Sequence, residues 1–102
     1  MAKYNFTHKA IQDLSGIWNY TVHTWSEKQA DKYYSSLIEN CAEISKNPEL
    51  GKKYLEIHSE LLGYNVHKHI IFYRVISDTE IEITRILHER MDLKNKMKND
   101  PR

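Results

Sequence analysis

The chain is poor in the residues that build cross-links and special loops. Its single cysteine, Cys41, can close no internal disulfide, so the fold asks for no oxidising compartment and suits a reducing, cytoplasmic one. Three glycines are present, too few and too scattered for a phosphate-cradling loop, which needs glycine at fixed offsets. The G-x-S-x-G and H-E-x-x-H signatures are missing as well, so nucleophilic and metallohydrolase chemistry has no sequence support, no catalytic residue is assigned and no cofactor is expected. The most apolar stretch, residues 70–73, is far too short to cross a bilayer, and the opening Met1-Ala2-Lys3-Tyr4-Asn5-Phe6 lacks the apolar core of a secretion signal. No membrane contact is expected.

What is present fits one small globular domain. A chain of 102 residues, 40% apolar and 28% charged, has room for one core and is too apolar for disorder. The net charge is +1, but Lys94, Lys96, Lys98 and Arg102 stand against Asp100 alone, so the last nine residues carry +3 and the remainder −2. The division expected is a single domain over 1–93 and a basic tail over 94–102, solvated and frayed unless an anionic partner holds it.

Tyr4 and Phe6 alternate with polar neighbours, as in a short strand, and Thr7 can cap a helix with its hydroxyl. Ile11, Leu14, Trp18, Val22 and Trp25 fall three or four apart and predict one buried face of a first helix, the two tryptophans serving as packing residues. Ser26 with Gln29 has the form of a capping box. It predicts a second helix to about Lys46, with Ala30, Tyr33, Tyr34, Leu37, Ile38, Cys41 and Ile44 inward and the two helices paired as an antiparallel hairpin. After a loop rich in Lys and Glu the period drops to 2. Leu62, Tyr64 and Val66 alternate, residues 70–76 read as a central strand, Ser77-Asp78-Thr79 supplies a turn, and Ile81, Ile83 and Leu87 mark a last strand. The fold class predicted is α+β, an αα hairpin packed on a small antiparallel sheet in the order β-αα-βββ.

Several residues could carry chemistry. His67 and His69, two apart on a predicted strand, share a face and could begin a zinc site, but nothing fixes a third ligand, so no metal is assigned. Cys41 sits on the apolar stripe and reads as a small buried hydrophobe. Arg85, His88, Glu89, Arg90 and Asp92, with Arg74 on the neighbouring strand, form the densest polar cluster. Such a set could grip phosphate and shuttle protons during RNA cleavage, or Arg74 and Arg85 could simply pair with Glu82, Glu89 or Asp92. Strict alternation puts Arg85 on the face of Ile83 and Leu87, so either a bulge turns it outward or it is buried against a carboxylate. Off the main stripe of the first helix, Ala10, Ile17 and Tyr20 make a second apolar seam, a candidate dock for a partner helix.

The ending Arg85-Ile86-Leu87-His88-Glu89-Arg90-Met91-Asp92-Leu93, the strand His69-Ile70-Ile71-Phe72-Tyr73-Arg74, and Asp13-Leu14 with Ile17-Trp18, Tyr20-Thr21, Trp25 and Gln29-Ala30 together resemble the ParE branch of the RelE/ParE toxins, in order from Tyr4 to Leu93. The resemblance implies the hairpin-on-sheet fold already read from the pattern. It implies a ParD-like antitoxin, whose partly disordered tail folds on the hairpin and the sheet, and it implies DNA gyrase as target. Operator DNA would be met only through the antitoxin, and no small-molecule substrate is implied. On this reading His88, Arg90, Met91, Asp92 and Leu93 form the gyrase-contacting end, while Ala10, Ile17 and Tyr20 receive the antitoxin. The RelE branch, which cleaves messenger RNA on the ribosome, is the alternative, with Arg74, Arg85, His88 and Arg90 as its site. A concave basic pocket of histidine, arginine and tyrosine on the sheet would favour that branch.

Overall fold

The computed structural model describes residues 2–98. Strand β1 (Lys3–Phe6) leads into helix α1 (His8–Thr24), which is followed by helix α2 (Glu27–Lys46), a single 3-10 turn (Pro48–Leu50), strands β2 (Lys52–Lys53), β3 (Leu62–Val66), β4 (His69–Ser77) and β5 (Glu80–His88), and a short helix α3 (Leu93–Lys98). Both expected caps form. The Thr7 hydroxyl accepts the Ala10 amide at 3.1 Å and donates to the Thr84 carbonyl at 2.7 Å, and Ser26 accepts the Gln29 amide at 3.0 Å. Each satisfies an otherwise unpaired amide of the first helical turn.

The sheet runs in the order β1-β5-β4-β3-β2. It is not wholly antiparallel, because β1 pairs parallel to β5, Tyr4 lying beside Ile81 and Phe6 beside Ile83. The helical hairpin carries the chain to the far edge, and the β3, β4, β5 meander returns its last strand beside β1 in the same direction. A fifth strand, the two-residue β2, closes that far edge. Its Lys52 and Lys53 give no apolar signal, and lysine on an edge strand discourages further pairing.

Two clusters of buried side chains hold the layers together. Ala10, Leu14, Leu37, Cys41 and Ile44 from the helices meet Ile71, Tyr73, Ile81, Ile83 and Ile86 on one face of the sheet. Tyr54, Leu61, Ile70, Phe72, Leu87 and Met97 fill the other. Because β4 is covered on both faces, Ile70, Ile71, Phe72 and Tyr73 are all buried. This is why the sequence there is a continuous apolar run.

Helix α1 departs from the expected face. Ile11 and Trp25 are 52% and 73% exposed, whereas Ala10 is fully buried, together with Leu14 and Thr21. The inward stripe is Ala10, Leu14, Ile17 and Thr21. It wins because a small residue lets the helix approach the sheet closely, and because Asp13, on that side, meets polar groups of β5. The tail differs too. Leu93 and Met97 of α3 pack on the second cluster, so the structured chain runs past 93, and residues 99–102 of the expected tail lie outside the described residues.

Candidate functional site

Beyond Phe6 no strand among the described residues covers the outer side of β5, and α1 lies there instead. Asp13 accepts the Ile86 amide at 3.0 Å, and its two oxygens receive Arg85 Nε at 2.8 Å and Nη2 at 3.0 Å. One carboxylate thereby satisfies a strand-edge amide and a guanidinium, both withdrawn from water. Of the two alternatives foreseen for Arg85, burial against a carboxylate is the one that occurs: a bulge lies beside the residue but does not turn it outward. The register shifts where Phe72 faces Arg85 and Tyr73 faces Ile83, which leaves Thr84 as the extra residue, and alternation then places Ile86 on the helix-side core. The carboxylate that meets it is Asp13 of α1, a partner the sequence reading had not offered.

Arg74 lies elsewhere. It pairs with Glu82 at 2.8 Å across the β4–β5 ladder, as one of the sequence readings had it. It stands five residues along β4 from His69, about 16 Å at strand rise. Arg74, Arg85, His88 and Arg90 are therefore not one constellation.

At the other end of the ladder a different group assembles. His69 and His88 face each other in register, their rings edge to face at 5.3 Å. Tyr33 of α2 places its hydroxyl 2.6 Å from His69 Nδ1. The rings of His67 and His69 stand 5.3 and 5.5 Å from the Tyr33 ring, and Ser36 Oγ is 3.1 Å from His67 Nε2. His67 is not on a strand. It lies in the two-residue turn between β3 and β4 with φ 57, a left-handed conformation uncommon outside glycine, so the parity argument that put it beside His69 does not apply. Burial, reinforced by His88, holds the His69 imidazole down to about 4, against smaller opposite pulls from Glu89 and Asp13. Burial raises the Tyr33 phenol, and a backbone hydrogen bond from Lys68 pulls it the other way. Burial thus favours the neutral forms of both His69 and Tyr33 at the centre of the cluster. Among the described residues no group of three or more His, Cys, Asp or Glu could hold a metal ion. Cys41 is fully buried and its thiol is pushed up to about 12, so it stays protonated and packs as a hydrophobe.

The segment 88–93 crosses from this cluster to the opposite face. The Glu89 amide donates to the Lys68 carbonyl at 2.9 Å and the Met91 amide to the His88 carbonyl at 3.0 Å. The Arg90 amide donates to His88 Nδ1 at 3.1 Å. Arg90, Met91 and Asp92 are exposed, Met91 at 43%, while Leu93 packs against the second cluster. Of the five residues expected to form a contacting end, three face solvent and His88 and Leu93 are the anchors.

The helix-one seam expected to dock a partner does not exist as a surface. Ala10 has no exposed area and Ile17 packs on the core, which leaves only Tyr20, at 68%, open. An open groove of about 370 Å³ lies on the other flank of α1, lined by Phe6, Ile11, Leu14, Trp18 and Tyr34 among others, with Trp18 and Tyr34 edge to face at 6.3 Å. These are largely the residues that periodicity had assigned to the core.

Comparison with known proteins fits this geometry. Residues 4–93 match the family model described as ParE toxin of type II toxin-antitoxin system, parDE. The chain is 30% identical over 92 residues to Toxin ParE1 of Mycobacterium tuberculosis, covering 90% of this chain and 94% of that protein. It is 29% identical over 97 residues to Toxin ParE of Escherichia coli, covering 95% and 94%. A chain of the chromosomal ParDE TA system from P. aeruginosa superposes with a TM-score of 0.74 at 21% identity, over 86% of this chain and 96% of that one. A chain of the toxin-antitoxin complex RelBE2 from Mycobacterium tuberculosis gives 0.62 at 18%, over 85% and 96%. With a family match from the first strand to the start of the last helix, and relatives aligned over nearly their whole length, the chain belongs to the ParE toxin family of type II toxin-antitoxin systems.

Proposed function

We propose that this toxin inhibits DNA gyrase through the exposed turn formed by Arg90, Met91 and Asp92, rooted on His88 and Leu93, and that a ParD-like antitoxin neutralises it in the cytoplasm. The observation that carries the reading is the disposition of the arginines. Arg74 is engaged by Glu82 and Arg85 by Asp13, and they stand apart along the ladder, so they do not form the convergent cationic grip that phosphodiester cleavage uses. Polar side chains project instead from a turn braced at both ends, an arrangement suited to recognition.

The antitoxin is assigned to the groove of Phe6, Ile11, Leu14, Trp18 and Tyr34. From Ile11 to Trp25 the exposed apolar edge of α1 spans about 21 Å, long enough for roughly four turns of an amphipathic helix. The test is a supercoiling and cleavage assay with purified toxin, with and without the antitoxin encoded beside it. Inhibition that the antitoxin relieves, and that is lost when the chain ends at Leu87, is expected. Undiminished inhibition by the truncated chain would reject the turn as the contact.

The convergence of Tyr33, His69 and His88 favours keeping the ribonuclease as a second reading. Codon-linked cuts in messenger RNA from expressing cells, mapped by primer extension, would replace gyrase inhibition with it.

A further inference from the structure

The turn 89–92 is short and exposed, yet both of its roots are fixed. At its far root Leu93 and Met97 of α3 lie on Ile70, Phe72 and Leu87. At its near root the Glu89 amide is bound to the Lys68 carbonyl, while Arg90 and Met91 donate to the side chain and carbonyl of His88. Lys68 lies between His67 and His69, the residues whose rings flank Tyr33. The Tyr33 hydroxyl stands 2.6 Å from His69 Nδ1, within reach to give it a proton. Helix α2, the β3–β4 turn and the end of β5 are thus tied in series through one phenol and one imidazole, and the next link is the exposed turn.

We propose that Tyr33 and His69 are positioning residues for the turn 89–92, clamping its near root to helix α2 so that Arg90, Met91 and Asp92 meet a macromolecular target in one fixed arrangement. The proposal rests on the reading that this segment contacts gyrase. It goes further in placing part of the recognition apparatus on the helical hairpin, on residues that do not touch the target. Holding a contact loop in its bound conformation raises affinity by removing the ordering cost that a mobile loop would incur. The cluster stands outside the groove assigned to the antitoxin, so the two binding activities should respond separately.

The experiment compares Tyr33→Phe, His69→Leu and His69→Asn in the full chain, by amide hydrogen exchange and by inhibition of supercoiling. Asparagine puts an amide oxygen near the place of Nδ1 and keeps an acceptor for Tyr33, whereas leucine does not. Exchange at the Glu89, Arg90 and Met91 amides should rise about tenfold in Tyr33→Phe and His69→Leu, the factor expected for loss of about one hydrogen bond's net contribution. It should stay within about twofold of the parent in His69→Asn, and Ile81 and Ile83 should be unaffected throughout. The concentration giving half inhibition should rise in parallel, about tenfold, with antitoxin affinity unchanged. Unaltered exchange in both disrupting variants overturns the proposal whatever the gyrase assay shows, and so does a rise shared equally by Ile81 and Ile83, which would mean general destabilisation. Faster exchange with undiminished inhibition overturns the presenting role. If the parent protein leaves gyrase untouched, the functional reading fails, and the exchange results alone then decide whether Tyr33 and His69 position the turn.

Discussion

Replacing Asp13 with alanine removes the acceptor of three donors at once: Arg85 Nε at 2.8 Å, Arg85 Nη2 at 3.0 Å and the Ile86 amide at 3.0 Å. The Arg85 and Asp13 side chains keep 10% and 13% of their surface, so water can restore little of what is lost. Breaking a buried pair from one side costs about 3–5 kcal/mol. The remaining exposure puts Asp13→Ala near the lower end, about 3 kcal/mol. A domain of this size is stable by about 5–15 kcal/mol, so the variant should fold but melt about 12–24 °C lower. Arg85→Met leaves the carboxylate with the Ile86 amide and some solvent, and should cost about 2 kcal/mol.

The informative variant carries both changes. It retains only the orphaned Ile86 amide, a penalty of about 1–3 kcal/mol, so it should be at least as stable as Asp13→Ala alone, with a coupling of about 2–3 kcal/mol in the double-mutant cycle. Urea unfolding followed by circular dichroism measures all four corners. Additivity within about 0.5 kcal/mol would refute the pairing as the reason for Arg85's burial. The same proteins separate structure from chemistry. On the proposed function the double variant remains toxic, whereas an Arg85 that grips phosphate is required in every folded background.

The remaining predictions concern the scaffold. His69 is held at about 4 in the fold, against the ordinary 6.5, so between those values the unfolded chain binds a proton that the folded one excludes; stability should fall by about 1–2 kcal/mol, allowing for solvent screening, as pH drops through that window, and His69→Asn should flatten the acid limb of a melting-temperature profile. Gly51→Ala should lose about 2 kcal/mol in chemical denaturation, because the new Cβ overlaps the Tyr73 ring, whose hydroxyl accepts the Gly51 amide at 2.9 Å and donates to the Pro48 carbonyl at 2.5 Å. Gly16 is exposed in mid-helix, with open space where a side-chain carbon would stand, so Gly16→Ala should raise stability by about 0.5–1 kcal/mol in the same assay.

Local chemistry was legible in the sequence, and long-range competition was not. Thr7 and Ser26 cap their helices because a hydroxyl three residues from an unpaired amide acts without help from elsewhere. The inward face of α1 is different. Two stripes compete on that helix, and the bulkier one, Ile11, Trp18 and Trp25, has the stronger periodic signal. The choice falls to Ala10 and Leu14 because Asp13, on the same side, finds Arg85 and Ile86 more than seventy residues later. No window of local sequence contains that partner. The parallel pairing of β1 with β5 is hidden for the same reason, since it depends on where the meander ends.

The site divides along the same line. The polar ending could be read because charged and amide-rich residues crowd where strand alternation stops, and Leu93 and Met97, four apart, could have shown that the chain resumes as a helix had the lysines between them not suggested a solvated tail. The histidine cluster could not be read, although each member was visible. Periodicity assigned Tyr33 to the buried stripe of α2 and left it an ordinary core aromatic, and parity joined His67 to His69 on a strand that in fact ends at Val66. What brings them together is the turn between β3 and β4, where His67 takes a left-handed backbone conformation and the Lys68 carbonyl accepts the Glu89 amide. A pattern of side chains along one element predicts which face is buried; it says nothing about a backbone carbonyl supplied by another. The Lys68 carbonyl that meets the Glu89 amide is such a group, and no side-chain pattern marks it.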